Sequence, residues 1–377
     1  MKKIVILYST SGHGHMNSAK AIMQSFERER SGVDIKFVNI LDNGNSVFKF
    51  LHFSLYVSLM KYAKWVWGAI YYFSDLPFID LMVRAVRHLV DHKTWGDLEK
   101  FLIAEKPDAI VSTHFFLTSV ARKIKKNGQI RAKLYLMVSG YGMHNIWFSR
   151  HIDHFFTGIG SVSDELVKRG VSRDRVTVTG MPAPEEYVKD YDAKDLAKRY
   201  GLDESRRTVF ILSGAYGAAP MEAILDSLKT SGARIQVIVV CGYNKLAYDN
   251  ILRMKGSLGF PVLLFGFTDK IAELMAISDM MISKAGTLSV TQAMNMGLPM
   301  LLFSHVPGHE TPTVKMLVEN GAAMNARNIK EIPELVDRIL LSREVFKNMK
   351  FCIDKLRRRD AADKIAEIVL LDLGLVG

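Results

Sequence analysis

Residues 3–26 read "KIVILYSTSGHGHMNSAKAIMQSF", and this stretch decides the fold. Residues 3–8 are a continuous apolar, β-branched run, the composition of a strand buried on both faces of a parallel sheet. A polar turn with Gly12 and Gly14 follows. Beyond it Ala19, Ile22, Met23 and Phe26 recur at helical spacing, with Lys20, Glu27 and Arg30 on other faces. Further strands are expected over 33–41, 108–114 and 133–139, with helical stretches between them. The second half repeats the pattern, with strands over 208–214, 235–242, 261–267, 279–284 and 299–305. Alternating strands and helices predict an α/β protein with parallel sheets. In "TGMPAPEEY" (179–187) two prolines and a glycine interrupt both periodicities and mark a seam. The expected organisation is two α/β domains facing a cleft, 1–183 and 184–345. A terminal helical segment, 346–377, could pack on either.

Composition narrows the classes. A length of 377 residues, 49% hydrophobic and 24% charged, is that of a globular chain with room for two cores. The two cysteines, Cys241 and Cys352, are far apart and have no metal-ligand spacing, which favours a reducing compartment. Only "IVILY" follows Lys2 and Lys3, too short for a signal-peptide core, so the expected location is cytoplasmic. The net charge of +11 calls for an anionic partner: nucleic acid, a nucleotide or an anionic membrane surface. Dispersed lysines and the absence of a recognisable binding motif argue against nucleic acid.

Residues 46–95 stand apart. Ten aromatics fall between Phe48 and Phe73, interleaved with Lys49, Lys61 and Lys64. The longest uncharged runs are 11 residues (50–60) and 10 residues (65–74), about half of what a spanning helix needs. Aromatics mixed with lysines suit the headgroup layer of a membrane. The competing reading is an insertion whose rings pack on their own domain.

Three turns could hold ligands. "SGHGH" (11–15) joins a strand to a helix, where glycines admit close backbone approach and helix N–H groups face an anion. It is neither the G-x-G-x-x-G fingerprint nor a Walker loop. His15 there is a candidate base, since imidazole titrates near neutral pH, or else a helix cap. "LSGAYGAAP" (212–220) and "SKAGTLSVTQAMNMGLP" (283–299) are two further small-residue turns opening helices. In the second, Ser289 and Gln292 lie one turn apart and could both reach a sugar hydroxyl.

With these residues the chain resembles the monogalactosyldiacylglycerol synthase and processive diacylglycerol glucosyltransferase family, relatives of the peptidoglycan N-acetylglucosaminyltransferase. The resemblance rests on "SGHGH", "PDAIVSTH", "VSDELVKRGVSRDRVTVTGMP", "VVCGYNKL", "LLFGFTDKIAELMAISDMMISKAG" and "LPMLLFSHVPGHE" in that order. It implies a GT-B type glycosyltransferase with two Rossmann-like domains, inverting and independent of a bound metal or cofactor. A UDP-sugar donor would be held by the C-terminal domain and a lipid acceptor, such as diacylglycerol, by the N-terminal one. It implies His15 as acceptor base, with Gly14, His144 and Trp147 on the acceptor side. Gly214 and Gly217 would lie near the donor phosphates, Phe267 and Thr268 near the uracil. Gly286, Ser289 and Gln292 would meet pyrophosphate and ribose, and His309 with Glu310 the donor sugar. The aromatic segment falls where the family has its membrane side, which implies a peripheral enzyme on the inner face of the membrane.

The chain departs from the family pattern at several places. In "VSGYGMHNIW" (138–147) Ser139 and Gly140 stand where the family has Thr-Asp, so a carboxylate partner for the base is missing. Gln292 replaces a glutamate, Thr287 a second glycine and His309 a glutamine, and Pro312 replaces an acidic or polar residue. A catalytically impaired UDP- or lipid-binding regulator on the same scaffold is the alternative these changes raise. A nucleotide-sugar epimerase of similar architecture would leave the aromatic segment unexplained.

Overall fold

The computed structural model describes residues 1–10, 13–29, 32–43, 63–76, 96–128, 130–212, 214 and 219–375. The chain forms two compact units. Unit 1 comprises Met1–Glu185, Pro307–His309 and Arg358–Gly377; unit 2 comprises Glu186–Val306 and Glu310–Arg357.

Unit 1 is built on a parallel sheet in the order β2-β1-β3-β4-β5-β6. Its strands are β1 (Lys2–Tyr8), β2 (Val33–Asn39), β3 (Ala109–Ser112), β4 (Lys133–Val138), β5 (His154–Thr157) and β6 (Val176–Val178). Ile4, Val5 and Ile6 of β1 are fully buried, as a central strand covered on both faces must be. The helix His13–Arg28 buries Ala19, Ile22 and Phe26, the stripe expected from their spacing. The chain leaves β1 for β2 on one side and returns to β3 on the other, so the strand order reverses between β1 and β3. In open α/β sheets, ligands bind outside the carboxyl ends of the strands at such a switch point.

Unit 2 repeats the plan in the order β12-β11-β10-β7-β8-β9, again wholly parallel. The strands are β7 (Arg207–Leu212), β8 (Ile235–Val240), β9 (Val262–Phe265), β10 (Met280–Ser283), β11 (Met300–Phe303) and β12 (Ala323–Ala326). Here the reversal lies between β7 and β10. Every strand expected from the sequence forms. The short β5, β6 and β12 were not anticipated.

The terminal helical segment expected over 346–377 is two helices, Arg343–Leu356 and Ala361–Asp372. The first belongs to unit 2, where Met349 joins the core. The second belongs to unit 1 and packs on the helix His13–Arg28, burying Ile365, Ala366 and Val369. Asp363 accepts hydrogen bonds from Ser25 Oγ (2.6 Å) and from Arg28, and the buried Tyr135 donates to Asp372 Oδ2 at 2.7 Å. The C-terminal segment of unit 1 is Arg358–Gly377.

Most of the 46–95 segment lies outside the described residues; its described parts are the stretch 63–76, which contains the helix Lys64–Ser74, and the first residue of 96–105 adjoins it. On the helix Lys64–Ser74, Trp65 is 83% exposed, and Val66, Ile70, Tyr72 and Phe73 are also exposed. Gly68 and Tyr71 face inward, toward Pro307 and Gly308. A Cβ at Gly68 would stand 2.9 Å from Pro307 Cβ, and one at Gly308 (φ +94) 2.9 Å from the Tyr71 ring, so glycine is what allows this close seating.

Candidate active site

In unit 1 the switch point gathers the first turn of the helix after β1 and the residues that follow β3. The helix already begins at His13, so Gly14 and His15 lie in its first turn rather than in the preceding loop. His15 Nδ1 is 2.7 Å from the carbonyl oxygen of Thr113, and Thr113 Oγ1 donates to the His15 carbonyl at 2.8 Å. A carbonyl only accepts, so Nδ1 carries a proton, and in the neutral ring the basic nitrogen is Nε2. Ser139 Oγ donates to the same Thr113 oxygen at 2.7 Å. The His15 ring meets the edge of His114 at 4.5 Å between centroids, with Trp147 behind it at 6.3 Å. Phe115 packs across Trp147 at 5.7 Å. The imidazole is thus fixed in one tautomer against an aromatic wall.

This arrangement answers the departure at Gly140. The orienting acceptor that a carboxylate would provide is here a main-chain carbonyl, held in place by Ser139. The carbonyl orients the ring as a carboxylate would, without the negative charge that a carboxylate adds.

In unit 2 the same logic places Gly214 after β7 and Gly286 after β10, on either side of the reversal. Gly214 has φ +69, a conformation costly for other residues, and Gly286 caps the helix Thr287–Asn295. Glu310 is 1% exposed; its Oε2 accepts from the Val306 N–H at 2.7 Å and its Oε1 from Lys284 Nζ at 3.0 Å. Phe267 is exposed and stacks on Tyr243 with centroids 4.5 Å apart and planes 12° from parallel. This aromatic platform lies just past the ends of β8 and β9.

The family model of monogalactosyldiacylglycerol (MGDG) synthase matches residues 15–183, and that of the glycosyltransferase family 28 C-terminal domain matches residues 208–365. The chain belongs to the MGDG synthase and diacylglycerol glucosyltransferase family. Among its relatives is the processive diacylglycerol β-glucosyltransferase of Bacillus licheniformis, 25% identical over 99% of this chain and 94% of the relative. That of Bacillus subtilis is 24% identical over 98% and 95%. Among solved structures, Acinetobacter baumannii MurG matches with a TM-score of 0.64 at 14% identity, covering 98% of this chain and 100% of MurG. A UDP-GlcNAc 2-epimerase from Neisseria meningitidis matches with a TM-score of 0.63 at 13% identity, covering 98% and 100%. The GT-B fold is therefore shared with epimerases, and it is the sequence-level matches that separate this family from them.

Several family positions take roles that the sequence did not suggest. His144, expected at the acceptor, is 6% exposed, and both ring nitrogens bond within the protein. Nδ1 accepts from the Ile146 N–H (3.1 Å), so Nε2–H points to the Tyr71 carbonyl (3.1 Å) and Ser74 Oγ (3.2 Å). Asp75 continues this clamp by accepting from the Asn145 N–H at 2.7 Å. His144 holds the helix Lys64–Ser74 in place. Burial and the negative charge of Asp75 push the Tyr71 hydroxyl above its usual pKa.

His309 and Glu310, both expected at the donor sugar, differ in their surroundings. His309 falls in unit 1, its ring 6.5 Å from that of Tyr71, whereas Glu310 is buried in unit 2. Thr268 Oγ1 accepts from the Lys270 N–H at 3.1 Å and so shapes the turn after Phe267. Gln292 is 3% exposed, while Ser289 is half-buried on the same helix. Gly217 lies outside the described residues. Reading the sequence missed Tyr243, Lys284 and the Thr113 carbonyl. The first two sit inside quoted motifs, but a main-chain atom leaves no residue-type signal.

Proposed function

We propose that the chain is an inverting glycosyltransferase that moves a hexose from a UDP-sugar to the hydroxyl of a membrane lipid such as diacylglycerol. The observation that carries this reading is His15, held with Nε2 as its basic nitrogen at the switch point of a module matching MGDG synthase. In the reaction the acceptor oxygen forms a bond to the sugar C1 and passes its proton to Nε2. The C1–O bond to the diphosphate breaks, UDP leaves with the electron pair, and the configuration at C1 inverts. In this reading Gly14 and Trp147 shape the acceptor side. Gly214, Gly217, Gly286, Ser289 and Gln292 serve the donor's phosphates and ribose, Phe267 and Thr268 its base, and His309 its sugar. The UDP-sugar is a substrate, and no cofactor is included. The expected result is UDP release from one of UDP-glucose, UDP-galactose or UDP-N-acetylglucosamine in the presence of diacylglycerol vesicles. If none of the three is consumed while UDP still binds, the regulatory alternative replaces the enzyme.

The proposal extends to attachment on the inner membrane face. Among the described residues no helix is long and apolar enough to cross a membrane. The exposed Trp65, Ile70, Tyr72 and Phe73 instead give the helix Lys64–Ser74 an apolar outer face, and the chain carries a net charge of +11. Replacing Trp65 and Phe73 together with serine should shift most of the protein from the pellet to the supernatant when it is sedimented with anionic vesicles. Unchanged co-sedimentation would remove this helix from the membrane contact.

A further inference from the structure

Lys284 lies between the two turns that flank the reversal in unit 2. A Cβ built on Gly214 would stand 3.5 Å from Lys284 Cε, and one built on Gly286 also 3.5 Å from it. The end of the lysine stem therefore lies within van der Waals reach of both glycine positions. At its tip, Nζ donates to Glu310 Oε1 at 3.0 Å. Glu310 is itself pinned, because its other oxygen accepts from the Val306 N–H. A buried carboxylate is retained only when paired and hydrogen-bonded, and here both conditions are met.

The pair is asymmetric in exposure, with the glutamate side chain 2% exposed and the lysine side chain 29%. An ammonium has three N–H donors, and Glu310 takes one of them. The carboxylate is closed inside the protein, while the lysine side chain, just past the carboxyl end of β10, keeps part of its surface exposed. That is where an open α/β sheet binds its ligand, and the adjacent helix Thr287–Asn295 starts there with its N–H groups.

We propose that Lys284 binds the diphosphate of the donor nucleotide and that Glu310 is the positioning residue that aims it, an inference that rests on the donor reading of unit 2 given above. Glu310 then acts through Lys284 rather than by touching the sugar. When the C1–O bond breaks and its electron pair stays on the diphosphate oxygen of UDP, a cation already in place faces the new charge without reorganising.

Calorimetric titration of the full chain with UDP and with uridine tests this. For the unaltered protein, UDP should bind more tightly than uridine. Lys284→Met should weaken UDP about tenfold or more, the scale of a lost charge-assisted hydrogen bond, and leave uridine unchanged. Lys284→Arg, which keeps the charge, should bind UDP more tightly than Lys284→Met, and Glu310→Gln should weaken UDP but not uridine. If Lys284→Met does not fold, Lys284→Gln takes its place under the same criteria. Full UDP affinity in the neutral variant overturns the proposal, as does an equal loss for uridine, which would make the lysine structural. If the unaltered protein binds neither ligand, the donor reading of unit 2 falls, and the role of Lys284 falls with it.

Discussion

Replacing His15 with alanine is expected to lower kcat by about 10²–10⁴-fold, the usual contribution of a positioned general base. UDP affinity should stay unchanged, because the proposed base acts on the acceptor hydroxyl and not on the nucleotide. The variant should also fold normally. His15 is half-buried, and its removal leaves the Thr113 carbonyl still bonded to Ser139 Oγ. The measurement is steady-state UDP release at saturating donor, paired with titration of UDP. Turnover at the level of the unaltered enzyme would exclude His15 as the base. The neighbouring His114 provides a contrast. It is 2% exposed, and its Nδ1 accepts from the Phe116 N–H at 3.3 Å, so its substitution should act on stability before it acts on turnover.

The second large effect concerns stability. Gly180 has φ +90, and a Cβ there would stand 2.3 Å from Arg358 Cβ, a distance that real atoms do not reach. Gly180→Ala must therefore both adopt an unfavourable backbone conformation and displace the chain at Arg358. The first costs about 1–2 kcal/mol and the second about 1–3 kcal/mol, for a total near 3 kcal/mol. Gly170 is the internal control: its φ is +92, but an added Cβ there meets nothing within 4 Å. Gly170→Ala should lose only the backbone component, about 1–2 kcal/mol. Chemical denaturation of the two variants separates the terms, and equal losses would show that Arg358 is not a steric barrier.

The sequence carried most of the fold because the buried central strands leave a strong signal. "KIVILY", "TVFILSG" and "IQVIVVCG" are apolar along their whole length, as parallel strands covered on both faces require. The strands that escaped notice carry a less uniform signal: β5 is "HFFT", opening on a histidine, β6 is the three-residue "VTV", and β12 is "AMNA" with two half-buried residues. The break at Arg357–Asp360 was hidden because no proline or glycine marks it and helical spacing continues across it. Only packing reveals that the two helices belong to different units. For the site, the turns and His15 were legible as glycine and histidine between a strand and a helix. The burial of His144 and Glu310 was not, and burial decides whether a polar side chain meets a ligand or holds its own framework. A motif position specifies the residue type without specifying its exposure.

Unit 1 takes its strands and most of its helices from the first half of the chain but closes with a helix from the last twenty residues. The bond from Ser25 to Asp363 spans 338 positions in sequence. During vectorial synthesis, the strands of unit 1 thus emerge before unit 2, and the helix Ala361–Asp372 that packs on His13–Arg28 emerges after it. A nascent chain halted before residue 360 already holds the residues of unit 2, yet the helix His13–Arg28 still lacks the face that Ile365, Ala366 and Val369 will cover. Until residues 361–372 emerge this apolar surface lacks its cover, so a chain truncated before residue 360 should aggregate more readily than the full chain.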